Sequence, residues 1–169
     1  IANSSTYPTD INSFVAHDAS LASLPTGTTN ANDGVIIVGQ ISLNSSQQSI
    51  NADAFAFLVD GNGSAIWLNQ CTLGNSQDAA FDVVQDGNTF TITGGTGALP
   101  NTIPFNNTYT QLWHFQLNLA GNLLWSNVYG ISNATNLYGA SIERSQNGGF
   151  IIAGSQQVNN AYHIFLQEI

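Results

Sequence analysis

Ala54-Phe-Ala-Phe-Leu-Val-Asp-Gly-Asn-Gly-Ser-Ala-Ile-Trp67 recurs 58 residues further on, Phe55 falling on Trp113, as Leu112-Trp-His-Phe-Gln-Leu-Asn-Leu-Ala-Gly-Asn-Leu-Leu-Trp125. Phe55, Phe57 and Val59 lie over Trp113, Phe115 and Leu117. Apolar residues at every second position predict a strand with one buried face. Gly63 and Gly121 then end a tight turn, and a further strand carries Trp67 or Trp125.

A second motif occurs three times, as Asp33-Gly-Val-Ile-Ile-Val-Gly39, Asp86-Gly-Asn-Thr-Phe-Thr-Ile-Thr-Gly94 and Asn147-Gly-Gly-Phe-Ile-Ile-Ala-Gly154. Asp-Gly or Asn-Gly is read as a positive-φ hairpin turn, and the β-branched run after it as a strand. The strand before each hairpin is Ile11–His17, then Ala80–Gln85, then Ala140–Ser145, with a loop from Asp18 to Asn32 in the first copy. The unit is four strands in roughly 55 to 60 residues, the size of an antiparallel propeller blade. Ile169 falls on Val59 and Leu117, so the third copy is expected to lack its Trp-bearing strand.

The run from Asn147 to Gly154, followed by an aromatic strand, together with Gly121-Asn-Leu-Leu-Trp-Ser-Asn-Val-Tyr-Gly130, resembles the repeat of secreted prokaryotic β-propeller-like surface proteins. The resemblance covers most of residues 33 to 169. It implies an all-β fold of antiparallel four-stranded blade-like repeats and a role in adhesion, scaffolding or binding, with no shared catalytic residues.

Composition narrows the function classes. Of 169 residues, 43 % are apolar, enough for a core, and 7 % are charged: ten Asp/Glu against Arg144 alone, for a net charge of −9. Such a chain repels polyanions, so nucleic acid and anionic membranes are disfavoured as partners. A neutral polar surface, where cytosolic proteins carry about a quarter charged residues, points to an exported, processed protein at the cell surface or outside it. Cys71 has no partner for a disulfide and reads as a small core residue. Sequons at Asn3, Asn44, Asn62, Asn106 and Asn133 are candidate glycosylation sites.

Candidate chemistry is sparse. His17, His114 and His163 lack metal-binding spacing, Asp60-Gly-Asn-Gly-Ser64 reads as a turn in place of a calcium loop, and no metal or cofactor is expected. Asp82 and Glu143, read as matching positions in successive repeats, and Asp18 are the acids that a glycoside hydrolase would use. Trp67 and Trp125 read as core anchors, and Trp113 as the candidate for stacking on a ligand.

The expected organisation is an N-terminal arm over residues 1–10 and a three-repeat β domain over 11–169. The incomplete third repeat offers an open edge at Phe165, Gln167 and Ile169, for which Ile1, Ala2 and Tyr7 of the arm are the candidate donor strand. The leading expectation is therefore a non-enzymatic structural subunit that forms a homo-oligomer or filament by strand exchange. A carbohydrate- or surface-binding module is the alternative, and a hydrolase the third reading.

Overall fold

A computed structural model describes residues 2–4, 11–24, 33–43, 52–73, 77–98, 109–130 and 134–169. Among them there is no helix, only three antiparallel sheets in sequence order. The first contains β2 (Ile11–Ser23), β3 (Asp33–Leu43), β4 (Ala52–Asp60) and β5 (Ala65–Cys71), with the short β1 (Ala2–Ser4) added outside β5. The second contains β6 (Gln77–Asp86), β7 (Thr89–Ala98), β8 (Gln111–Asn118) and β9 (Leu123–Gly130). The third contains β10 (Ala134–Arg144), β11 (Phe150–Val158) and β12 (Ala161–Glu168) and has no fourth strand among the described residues. This is the expected propeller-like set of blades, the last one short by a strand.

The sheets stack face on face. β6 packs on β2, β3 and β4 of the first sheet, and β10 packs on β6, β7 and β8 of the second. The first seam is dry: Ile36, Val38, Ala54, Ala56, Leu58 and Trp67 of one sheet bury against Val83, Phe90, Ile92, Phe115, Leu117 and neighbours of the next. At about 25 cal/mol per Å² of apolar surface, this cluster is the largest favourable contribution to joining the two repeats. The second seam is built from Leu112 with Leu137, Ile142, Phe150 and Ile152.

Each repeat contains the same irregularity. Ala16 pairs with Gly39, Ala80 with Gly94 and Gly139 with Gly154, and directly after each pair the inner strand takes one extra residue. This β-bulge presses a backbone carbonyl onto the glycine. A Cβ would lie 2.0 Å from the Val15 oxygen at Gly39, 1.8 Å from that of Ala79 at Gly94 and 2.3 Å from that of Tyr138 at Gly154. The recurring glycine is thus required by close approach, because no side chain fits between the strands.

Two local expectations are corrected. Gly34 lies inside β3 opposite Asp60, where a Cβ would meet the Val59 oxygen at 2.4 Å, so Asp33-Gly34 is strand and not a hairpin turn. β2 runs on past His17 to Ser23, pairing with β3 as far as Asp33, where a loop from Asp18 was expected. Gly87, at φ +57, and Gly148, at φ +85, do occupy turns.

Gly94→Ala is expected to destabilise the fold by roughly 3 kcal/mol, since the clash is with backbone that cannot yield locally. Gly87→Ala, with nothing within 4 Å of the new Cβ, should cost only about 1 kcal/mol for its left-handed backbone. Urea unfolding of both variants measures the contrast.

Candidate functional site

The bulge places a triplet from each inner strand at the sheet seams: Ala16-His17-Asp18, Ala80-Phe81-Asp82 and Gly139-Ala140-Ser141. Asp82 therefore corresponds to Asp18 and Ser141; Glu143 corresponds to Val84. The expected match of Asp82 with Glu143 is corrected: it is two residues out of register. The signal that would have found it is the triplet itself, a small residue, a variable one and a polar one.

Asp82 is a structural clamp. One oxygen accepts from the Val83 amide at 2.8 Å, and the other from the Ser141 hydroxyl and the Ile142 amide, both at 2.7 Å. The carboxylate thus ties the inner strand of the second sheet to that of the third with charge-assisted bonds. Asp18 repeats the device one sheet earlier, accepting backbone N–H groups of Ala19 and Val83 while hydrogen-bonded to Asp82. Burial, and then the hydrogen bond and charge of Asp82, push the Asp18 carboxyl above the usual carboxylate range. Asp18, Asp82 and Glu143 line a cleft of about 510 Å³. Asp82 holds two strands together, whereas Glu143 is exposed.

On the other side of the bulges, His17, Phe81, Tyr138 and Ala140 line a recess of about 300 Å³. The His17 and Phe81 rings are 4.9 Å apart and inclined at 58°; those of Phe81 and Tyr138 are 5.3 Å apart at 56°. Tyr109 closes the back, edge-on to Phe81 at 5.5 Å. Buried Gln40 holds this assembly: its amide donates to the Tyr109 hydroxyl at 2.7 Å and its oxygen lies 3.3 Å from His17 Nε2. Sequence reasoning missed the recess because its rings come from three strands of three repeats.

The second seam contains the one strongly perturbed histidine. His114 is buried beneath Tyr129, with ring centroids 5.2 Å apart and stacked, and meets the edge of Trp125 at 5.3 Å. Its Nδ1 and the Oγ1 of Thr93, its cross-strand partner, are buried without a hydrogen-bond partner. Burial lowers its pKa to about 4. His163 by contrast is exposed. Among the described residues no group of His, Cys, Asp or Glu is placed to hold a metal.

The remaining candidates fall as follows. Trp113 is 1 % exposed, stacked on Phe115 at 4.3 Å, with its indole N–H on Ser126 Oγ at 2.8 Å, so it offers no face to a ligand. Trp67 is buried and donates across the first seam to the Leu119 carbonyl at 2.8 Å. Trp125 is half-buried and donates to Gln116 at 3.1 Å. Asp60 Oδ1 caps its turn through the Asn62 and Ser64 amides, as Asn118 Oδ1 does through Ala120 and Asn122. Cys71 is buried, and desolvation pushes its thiol up to about 12, far from a nucleophile's range.

Ala2 pairs with Gln70 in β5 of its own chain, and Ile1 and Tyr7 lie outside the described residues. Phe165 and Gln167 pair with Gly154 and Ile152, while Ile169 exchanges both backbone bonds with Phe150. Of the sequons, Asn62 is in an exposed turn and Asn3 is in β1; Asn44, Asn106 and Asn133 lie outside the described residues. Compared with known protein families and curated proteins, the chain matches no family model and no relative.

Titration separates the two seams by sign. His114 is neutral in the fold, so its contribution is fully present above pH 6.5 and is lost as pH falls towards about 4; the loss is on the order of 3 kcal/mol and disappears in His114→Phe. Asp18, with its pKa raised from 3.8, contributes in the opposite sense: stability is lost as pH rises through the raised value, and Asp18→Asn removes that slope. Urea midpoints of the three proteins across acid pH check both.

Proposed function

We propose that this chain is a non-enzymatic assembly subunit of the extracellular space, whose third repeat is completed by the first repeat of another copy. One observation carries the reading. Positions that a following repeat covers in the first two sheets stand open in the third. Ala54 and Leu112 are 0 % and 1 % exposed, whereas Ile164 in the same register position is 87 % exposed. Ala56 and His114 are 0 % and 1 %, whereas Leu166 is 75 %. Ile36 and Thr91 are 0 %, whereas Ile151 is 40 %.

A contiguous apolar face of this kind is the mark of an interaction surface. The opposite end of the stack also carries an exposed aromatic ring, Phe14. The first sheet turns Ile41, Phe55 and Leu68 away from the second, where they are buried within the chain, and Phe14, 43 % exposed, is stacked on Phe55 at 4.2 Å. Phe55 and Phe57 hold the positions of Trp113 and Phe115, the residues with which the second sheet meets the first.

Strand exchange belongs to the same reading. The outer edge of β5 takes the short strand β1, and that of β12 carries no strand among the described residues. The engaged carboxylate of Asp82 supports a non-catalytic role, and the near absence of charge leaves little repulsion between copies. The alternative, a carbohydrate-binding module, draws no support from the buried ring of Trp113.

Ile164→Asp and Leu166→Asp replace exposed residues and should leave the fold intact while weakening self-association by about tenfold or more, since the introduced charge must be desolvated in the contact. Electron microscopy and light scattering of the parent chain should show oligomers or filaments that both variants lose. A parent chain that is monomeric at high concentration overturns the proposal.

A further inference from the structure

We infer that the recess between the bulges of the second and third repeats binds an organic cation, an alkylated ammonium head group, in an aromatic cage. The inference stands apart from the assembly reading, since the recess faces neither the open side of the third sheet nor the edge of β12.

Three rings wall the recess. Successive inclinations of 58° between His17 and Phe81 and 56° between Phe81 and Tyr138 make a corner and not a stack. A corner of rings presents several π faces to one point, the arrangement that attracts a cation through the negative face of each ring. Ala140, the small residue of the third bulge, leaves the fourth side open. The bulge position is His, Phe and Ala in the three repeats, so the repeats differ at the position that builds the cage while the flanking glycine recurs.

The cage is held in place before any ligand arrives. Gln40 links His17 to Tyr109, and Tyr109 sets the tilt of Phe81 and of Tyr138, whose ring is 6.2 Å away at 69°. Preorganisation of this kind lowers the ordering cost of binding.

Charge decides between a cation and a neutral ligand. No Lys or Arg lines the recess beside His17, and the single Arg of the chain is paired with Asp86 at 2.9 Å. The buried carboxylate of Asp78 lies behind Tyr109, close enough to raise its phenol pKa alongside burial. A net charge of −9 adds to a negative field at the opening. Size points the same way: about 300 Å³ is at the lower end of small-molecule sites and suits one head group, where an oligosaccharide needs a groove with several polar contacts.

The test is calorimetric titration of the intact chain with choline and with its neutral isostere 3,3-dimethylbutan-1-ol. Choline should saturate one site, with the isostere about tenfold weaker, and Phe81→Leu should reduce choline affinity roughly fivefold to tenfold. Ala140→Phe changes an exposed residue and fills the opening while leaving His17, Phe81 and Tyr138 in the sequence, so it should abolish binding in a protein whose circular dichroism is unchanged. Absence of choline saturation, equal affinity for the isostere, binding that survives Ala140→Phe, or saturation by glucose in place of choline overturns the inference. Monomeric protein that binds choline would refute the assembly reading and leave this one standing.

Discussion

A backbone carbonyl pressed against a glycine is the constraint on which the rest of the structure depends. At Gly39, Gly94 and Gly154 the inner strand bulges so closely that no Cβ fits. The bulge turns the strand, and everything distal to it moves by one residue relative to a regular ladder. That step brings Asp18 and Asp82 to the seams and turns His17 and Phe81 towards the recess. The clamp and the cage are therefore two products of one irregularity.

The two seams solve the same packing problem with different chemistry. Where the first sheet offers Ile36, Val38, Ala56 and Leu58, the second offers Thr91, Thr93, His114 and Gln116 in the same register. The first seam gains chiefly from burial of apolar area, with the Trp67 indole and the Asn69 amide donating across it to the Leu119 and Gly121 carbonyls. In the second, the Gln116 amide donates to Thr91 at 3.0 Å, but Thr93 and His114 each leave a polar atom unsatisfied, and such atoms cost free energy when desolvated. The hydrogen bonds of Asp82 to Ser141 and Ile142 and the pairing of Arg144 with Asp86 lie along this same seam. Directional bonds offset there what the apolar contact does not supply, although the exposed ion pair contributes little of it.

Much of the fold was legible because repetition makes weak signals add. Period-two apolar positions in three copies marked the strands, and the place of Ile169 in the repeat, opposite Phe150 as Leu117 is opposite Phe90, was readable from the sequence. What failed was anything that turns on a single residue. The inner strands share little beyond a small residue and a polar one, so Asp82 was matched to Glu143 when its counterpart, two residues earlier, is Ser141. Asp33-Gly34 has turn composition, yet Gly34 is there because the Val59 carbonyl approaches it. His114 looks like a solvent-facing residue in an alternating strand. It is buried beneath Tyr129 and against the edge of Trp125, both of the neighbouring strand β9. The cage was illegible for a related reason, since its rings approach one another only through the bulges.

Differences between the two ends of the stack govern what a chain of such repeats builds. The face that carries Ile164 and Leu166 is unlike the end that carries Phe14 over Phe55, so in the assembly proposed above contact between copies would be head to tail. Contacts of that type close into a ring when the rotation per repeat divides a full turn, and otherwise propagate as a filament. The clamp bears on the choice. Asp18 and Asp82 each reach forward to a backbone amide of the next inner strand, but the third repeat has Ser141, whose hydroxyl already donates backward to Asp82. A contact between copies thus lacks the charge-assisted bond that fixes the angle within a chain, and it relies on apolar surface, which is non-directional. In the proposed assembly the junction between copies would for that reason be softer in angle than the seams inside them, and the same subunit could follow the curvature of a closed ring or the straighter path of a fibre.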